Sequence, residues 1–393
     1  MTIDFDTIPD RRQTESAKWH HYDPDVLPMW VADMDFRSPE PIIQALRNRI
    51  EHGIFGYPEE PPELKQLIIE RLLIRYGWKV QPDEIVFLPG VVTGFNVACH
   101  SISVPGAGVL IQTPVYPPIL KAYTNSGLIR QEMALSRQND GRYEIDFDAF
   151  EKAITPQTRI FLLCNPHNPV GRVFSRIELL KMAEICQRHG ILICSDEIHC
   201  ELVFSGYSHI PIAALDEQIS KQTITLMAPS KTFNIAGLDC SFAIIQDAEL
   251  RNQYQKARKG LVGGVNLLGL VAACAAYQHG QSWLDELIIY LEANRNFVYS
   301  FIEQELPGVS MALPEATYLA WIDCRQLALQ QKPCNFFIDR ARVACNDGEE
   351  FGSGGQGFIR LNFGCPRSML LEALDKMKTS LLTYAIKQEL TPS

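Results

Sequence analysis

Residues 159–199 read RIFLLCNPHNPVGRVFSRIELLKMAEICQRHGILICSDEIH, and this stretch decides the fold. It opens on an apolar run, RIFLLC (159–164), of the length and composition of a buried strand. A capped helix follows. Ser175 and Glu178 make an S-x-x-E capping box, and Leu179, Met182, Ala183 and Cys186 then recur at spacings that lay one apolar stripe along a helix. Arg188 and His189 supply a basic last turn, and Gly190 is the stop. A second apolar run, GILICS (190–195), completes a strand, helix, strand unit. Two such strands lie parallel, with the helix packed across one face.

Outward from this unit the same alternation continues. EIVFL (84–88), GVLIQ (108–112), TITLM (223–227) and FAIIQ (242–246) also read as strands, so the expected class is α/β with a mostly parallel sheet covered on both faces. The pattern then changes. From Ser282, WLDELIIYLEANRNFVYSFIEQEL is one long helical stretch ending before Pro307, followed by strands in ATYLAWIDC (316–324) and GFIRLNFG (357–364) and a helix in SMLLEALDKMKTSLLTY. The expected organisation is an N-terminal arm (1–45) packing on the small domain, a large domain (46–281), and a linker helix with a smaller α+β C-terminal domain (282–393).

Composition bounds the function classes. The 393 residues carry 36 Lys and Arg against 46 Asp and Glu, a formal charge of −10, and the pI is about 5.5. Concentrated basic residues are missing, which argues against nucleic-acid binding and against a membrane-surface protein. No apolar run approaches the roughly 20 residues that cross a bilayer. The start, MTIDFDTIPDRRQTESAKW, is acidic and polar where a signal peptide would be basic and then apolar, so the expected location is cytoplasmic. The 11 cysteines are scattered, odd in number and without a C-x-x-C pair, as reduced core thiols would be. Cys194, His199 and Cys200 match no closed zinc pattern, and no metal is expected.

Four segments at strand ends could carry chemistry, where a parallel sheet presents its crevice. LPGVVTG (88–94) turns from a strand into a helix whose free backbone N–H groups would bind an anion, phosphate above all. No Gly-Lys-Ser/Thr follows, which disfavours a nucleoside triphosphate. CNPHNPVGR (164–172) offers Asn165 and Asn168 from an irregular turn. CSDEIHCEL (194–202) sets Asp196 at the end of a buried strand, where a carboxylate is costly without a cationic partner. MAPSKTFNIAGL (227–238) brings Lys231. Each segment alone has an ordinary structural reading. Together they are the parts that a phosphate-bearing heterocyclic aldehyde requires.

At this point NPHNPVG, SDEIH and SKTFNIAGL, with WVADMDF, FGYP (55–58) and GFIRLNFGCPR, resemble the fold-type-I pyridoxal-phosphate enzymes. The likeness is greatest to the carbon–sulfur lyase branch of the class I/II aminotransferases, the MalY/PatB group of cystathionine β-lyases, and runs in order from about residue 20 to residue 370. It implies a seven-stranded, mostly parallel sheet in the large domain and pyridoxal 5′-phosphate as cofactor. It also implies that Lys231 bonds to the cofactor aldehyde and, once released, takes the substrate's Cα proton. By the same resemblance Asp196 keeps the pyridine nitrogen protonated and Asn168 meets the ring oxygen. His199 stands where aminotransferases often have tyrosine, a departure that fits the lyase branch. Tyr116 would stack on the ring, while the backbone of Val91 and Val92 with the Ser230 hydroxyl would hold the phosphate. Tyr57 would enter from a second subunit, implying a homodimer with a shared site. Arg360 would pair with the substrate α-carboxylate.

Two positions depart from the family. Many relatives have serine three residues before the lysine and arginine eight after it, where this chain has Ala228 and Asp239, so phosphate would lean more on the helix N-terminus and Tyr57. GSGGQG (352–357) satisfies G-x-G-x-x-G but precedes its strand, the wrong context for a dinucleotide, and reads as a flexible loop. The expected activity is β-elimination on L-cystathionine or a related cysteine S-conjugate, giving a thiol, pyruvate and ammonia, with a place in methionine biosynthesis. An aminotransferase would use the same lysine, acid and arginine. A regulatory protein built on the same fold is the alternative from another class.

Overall fold

The computed structural model describes residues 3–390. Its centre is a seven-stranded sheet made of β1 (Ile85–Leu88), β2 (Gly108–Thr113), β3 (Ile129–Ala134), β4 (Thr158–Cys164), β5 (Leu192–Asp196), β6 (Thr223–Met227) and β7 (Ser241–Ile244). The spatial order is β1-β7-β6-β5-β4-β2-β3, and all neighbours are parallel except β7, which runs antiparallel to β1 and β6. Six of these strands are the apolar runs read from the sequence. Strands β2, β4, β6 and β7 have almost no exposed position, because helices cover both faces.

The seventh strand escaped the sequence reading for a physical reason. β3 is an edge strand, IRQEMA, and only Met133 in it is buried. Its polar side chains face water, so it lacks the apolar run by which its neighbours are recognised. The helix Arg176–Arg188 forms as its capping box requires: Ser175 Oγ accepts from the Glu178 N–H at 3.3 Å, and Glu178 returns a bond to the Ser175 N–H at 2.7 Å. Gly190 then takes φ +62°, a left-handed conformation that suits glycine.

The helix Gln281–Glu305 leads out of the large sheet into a second one, in which Leu319–Asp323 and Phe358–Asn362 pair antiparallel at the centre. The helix Arg367–Leu390 closes that unit. Leu27 and Pro28 pair in parallel with Val343 and Ala344, and Phe5, Trp19, Met34 and Phe36 join a core with Leu287, Leu361 and Leu370. A buried ion cluster sits beside them. Asp35 accepts from Lys18 Nζ at 2.6 Å, Arg11 Nη1 at 2.7 Å and Trp19 Nε1 at 2.8 Å. These bonds hold the far end of the segment 30–36 to the N-terminal arm, and the Asp35 N–H donates to Gly364 O, just after the small sheet's strand Phe358–Asn362, at 2.8 Å.

The glycine-rich stretch 352–357, expected to be a flexible loop, is a packed turn. The Gly355 N–H donates to Gly352 O at 3.1 Å, and a Cβ on Gly355 would lie 1.9 Å from Gly348 O. Glycine is needed there for backbone contact, and the turn carries Phe351 under the site described next.

Candidate active site

Parallel pairing puts three functional segments side by side. Cys164 of β4 is opposite Asp196 of β5, and Asp196 is opposite Leu226 of β6. The chain therefore leaves these adjacent strand ends as the Asn165–Asn168 loop, as Asp196 itself, and as the one-turn helix Pro229–Thr232 that bears Lys231. The ends are also cross-tied: the Asn165 N–H donates to Asp196 O at 3.0 Å and the Glu197 N–H to Leu226 O at 2.9 Å. Asp196, Asn168, His199 and Ser230 are all buried.

The segment Trp30–Phe36 crosses over this crevice. Lys231 Nζ donates to Ala32 O at 2.6 Å, and the Tyr318 hydroxyl donates to the same oxygen at 2.8 Å. Asn234, at φ +55°, accepts from the Met34 N–H at 3.0 Å and donates to Met34 O and Phe36 O, both at 2.8 Å. Asn362 donates to Val31 O and Asp33 O, each at 2.6 Å. Two asparagines, one from each sheet's neighbourhood, thus satisfy the carbonyls of a segment with no ladder of its own.

Arg360 enters from the small sheet. Its Nη1 donates to Asn168 Oδ1 at 3.0 Å, and its Nη2 donates to Asn346 Oδ1 at 2.7 Å and to Trp30 O at 3.1 Å. The guanidinium carbon lies 4.9 Å from the Phe351 ring centroid. Nε is buried and unpartnered, and among the described residues no carboxylate pairs with this cation. A buried guanidinium with a free N–H and only neutral acceptors is suited to meeting an anionic group.

Burial sets the electrostatics. Loss of solvent pushes the Asp196 carboxyl up to about 7, the Glu197 charge adds to this, and the Ile198 N–H at 3.1 Å and the Lys231 charge oppose it. Burial brings Lys231 down to about 8; nearby Arg360 also lowers it, while Asp33 and Asp196 raise it. His199 falls to about 3, first through burial and then through the Lys231 and Arg360 charges, so its ring is neutral. Its Nδ1 has no partner among the described residues. Burial lowers Arg360 to about 10. Asp196, expected to need a cation, has none in bonding contact among the described residues, where its side chain accepts from the Ile198 amide.

The remaining expected residues fall into two groups. Tyr116 precedes the helix Pro117–Ser126, and its backbone N–H donates to Asn168 O at 3.0 Å, which ties this residue's main chain to the Asn loop. His167 braces the same loop, with Nε2 2.8 Å from Pro114 O and Nδ1 3.2 Å from Cys164 O. Val91 and Val92 open the helix Val91–Ser101, whose first N–H groups have no intrahelical partner. Tyr57 stands apart. It is fully exposed, with Ile54 and Phe55, in the irregular segment 53–60, and within one chain it is not brought to the crevice. At the departures from the family pattern, Ala228 is buried and Asp239 is exposed at φ +48°.

Sequence reasoning missed Ala32, Tyr318, Asn234, Asn346 and Asn362. Ala32 acts through its backbone oxygen, which leaves no trace in the residue type. Asn362 had a weak signal, a polar side chain closing an apolar strand.

The residues present fit pyridoxal phosphate. An amine of lowered basicity, a buried acid without its cation, a helix N-terminus and an unpaired arginine are the groups that its aldehyde, ring nitrogen and phosphate, and an amino-acid carboxylate, would engage. The chain matches the family described as aminotransferase class I and II over residues 24–377. It is 42% identical to the cystathionine β-lyase PatB of Bacillus subtilis, over 96% of this chain and 100% of that one. With the protein MalY of Escherichia coli it shares 35% identity, over 94% of this chain and 96% of the other. Among solved structures, cystalysin of Treponema denticola, which contains a pyridoxal 5′-phosphate cofactor, superimposes with a TM-score of 0.94 at 35% identity and covers 98% of this chain and 100% of its own. The chain therefore belongs to the class I and II aminotransferase family, within the group that holds PatB and MalY, and is a pyridoxal-phosphate-dependent enzyme of fold type I.

Proposed function

We propose that the protein is a carbon–sulfur β-lyase acting on L-cystathionine or a related cysteine S-conjugate: cystathionine and water give homocysteine, pyruvate and ammonia. The observation that carries this reading is the 42% identity with a cystathionine β-lyase over nearly the full length of both chains. When bound, pyridoxal phosphate supplies an aldehyde that bonds to amines and a ring that withdraws electrons from Cα.

The chain's own groups do the rest. Arg360, with Nε free and its other edges fixed on Asn168, Asn346 and Trp30, binds the substrate α-carboxylate and sets which Cα bond faces Lys231. Lys231, depressed by burial to about 8, is available as an uncharged base near neutral pH and takes the Cα proton. That proton is then on hand for the departing thiolate sulfur. Asp196 keeps a proton on the ring nitrogen. Tyr116 and Asn168 fix the ring, while the first N–H groups at Val91 and Val92 and the Ser230 hydroxyl hold phosphate. Neutral His199 leaves the ring environment without an added charge.

Tyr57 supports a homodimer with shared sites. A tyrosine fully exposed beside exposed Ile54 and Phe55 in an irregular segment suits a surface that a second copy covers. A cytoplasmic location accords with the acidic, polar N-terminal sequence.

Purified protein given cystathionine and no 2-oxo acid is expected to release pyruvate, ammonia and homocysteine in equal amounts. Lys231→Ala should abolish this release while keeping the folded circular dichroism spectrum. Turnover that requires an added 2-oxo acid would identify an aminotransferase instead.

The dimer reading has its own test. Co-expressed Lys231→Ala and Tyr57→Ala chains should form mixed dimers in which one site is intact, restoring roughly a quarter of wild-type turnover at random pairing. Two inactive variants that stay inactive when mixed would place Tyr57 in its own subunit's chemistry, and a fully active Tyr57→Ala would place it in none.

Asp196 makes stability depend on pH when cofactor is absent. Its folded value, about 7, lies above its ordinary 3.8. The folded protein therefore holds a proton that the unfolded chain releases, and this stabilisation, full below pH 4, is lost as pH rises through 7. Between pH 5 and 7.5, cofactor-free protein should lose about 2 kcal/mol relative to Asp196→Asn in urea unfolding. Parallel pH profiles for the two proteins would contradict the desolvated acid.

A further inference from the structure

Ala32 O is the acceptor for two donors from opposite sides of the crevice. Lys231 Nζ, on the one-turn helix after β6, lies 2.6 Å from it, and Tyr318 Oη, beside the small sheet, lies 2.8 Å from it. A carbonyl oxygen has two lone pairs, so the two bonds saturate it. Tyr318 is buried, its ring meets His199 edge to face at 6.0 Å, and its hydroxyl makes this bond in place of any bond to solvent. The oxygen itself cannot move aside, because Asn362 and Asn234 fix the carbonyls on both flanks.

We infer that Tyr318 is a positioning residue for Lys231: with Ala32 O it forms a preformed resting place for the amine whenever the amine is free, and by sharing that oxygen it limits how strongly the oxygen holds the charged ammonium. Two donors on one acceptor weaken each other, since each draws on the same electron density and their positive hydrogens repel. The sharing therefore favours the uncharged amine, the form a base requires. The charged and titratable groups around Lys231 are Asp33 from the crossing segment, Asp196 from β5, Arg360 from the small sheet and His199 after β5. None of them bonds to Ala32 O. The two acids favour the ammonium and Arg360 opposes it, so the oxygen's pull acts on an amine already balanced between its two forms.

The part of this inference that concerns catalysis rests on the proposed lyase reaction; the part that concerns the amine does not. Tyr318→Phe removes one hydroxyl and keeps the ring, leaving Ala32 O wholly to Lys231. In full-length protein stripped of cofactor and reductively methylated with ¹³C-formaldehyde, the Lys231 resonance, identified by its absence from Lys231→Ala, reports the amine's titration directly. The expected result is a titration midpoint higher by at least about 0.5 pH unit in Tyr318→Phe than in wild type. In the cofactor-loaded enzyme the acidic limb of the kcat profile should move to higher pH by a similar amount, with KM for cystathionine little changed, because Arg360 is untouched. A midpoint that stays within 0.2 unit of wild type, or falls, overturns the role of Tyr318. A raised midpoint in a protein that releases no pyruvate upholds it and rejects the lyase reading.

Discussion

Desolvation is the constraint on which the rest of this molecule depends. Four ionisable side chains, Asp196, His199, Lys231 and Arg360, are gathered at one end of a sheet, and for each the largest influence is the loss of water around it. Each is pushed toward its uncharged form, and none is paired with another by a salt bridge. A fold built for stability alone would pair or remove such groups, since a lone buried charge is costly. Here the complementary groups are expected from outside: a protonated ring nitrogen for Asp196, a carboxylate for Arg360, and for the uncharged amine of Lys231 an electrophilic aldehyde. The cost of burying these groups is the condition under which they would bind a charged cofactor and substrate strongly.

The crossing segment Trp30–Phe36 turns that collection into a site. It has no strand or helix of its own, so its backbone groups must find side-chain partners. Asn234 comes from just beyond Lys231, Asn362 and Arg360 from the small sheet, and Asp35 anchors on Lys18, Arg11 and Trp19. The lysine, the arginine and the sheet that carries each are thereby referred to one piece of backbone. Because the segment is bonded to Lys231 and Asn234 on one side and to Arg360 and Asn362 on the other, it opposes a shift of one sheet against the other.

The large sheet was legible because helix cover on both faces leaves strands as plain apolar runs. β3 was not, because an edge strand with one buried side chain, Met133, carries no such run. Asp196 closes its apolar run and Asn168 and Lys231 each follow theirs by four residues, so all three could be placed at strand ends, and their company and the family resemblance then singled them out. The partners that hold them could not. Ala32 contributes a carbonyl, which every residue has, and Tyr318 sits in a strand-like segment where an aromatic residue reads as core. Asn346 and Asn362 act on groups that are near in space and far along the chain. The turn at 352–357 was misread as flexible for a related reason: glycine marks both loose backbone and backbone in contact, and only the neighbour, here Gly348, tells the two apart.

The central claim is that the amine at the end of β6 is the one that bonds to the cofactor aldehyde. Borohydride reduction of the yellow, cofactor-loaded protein, followed by peptide mass spectrometry, tests this most directly. The expected result is a pyridoxyl-phosphate adduct confined to the peptide that contains Lys231. An adduct on another lysine, or none on protein that has demonstrably taken up the cofactor, would contradict it.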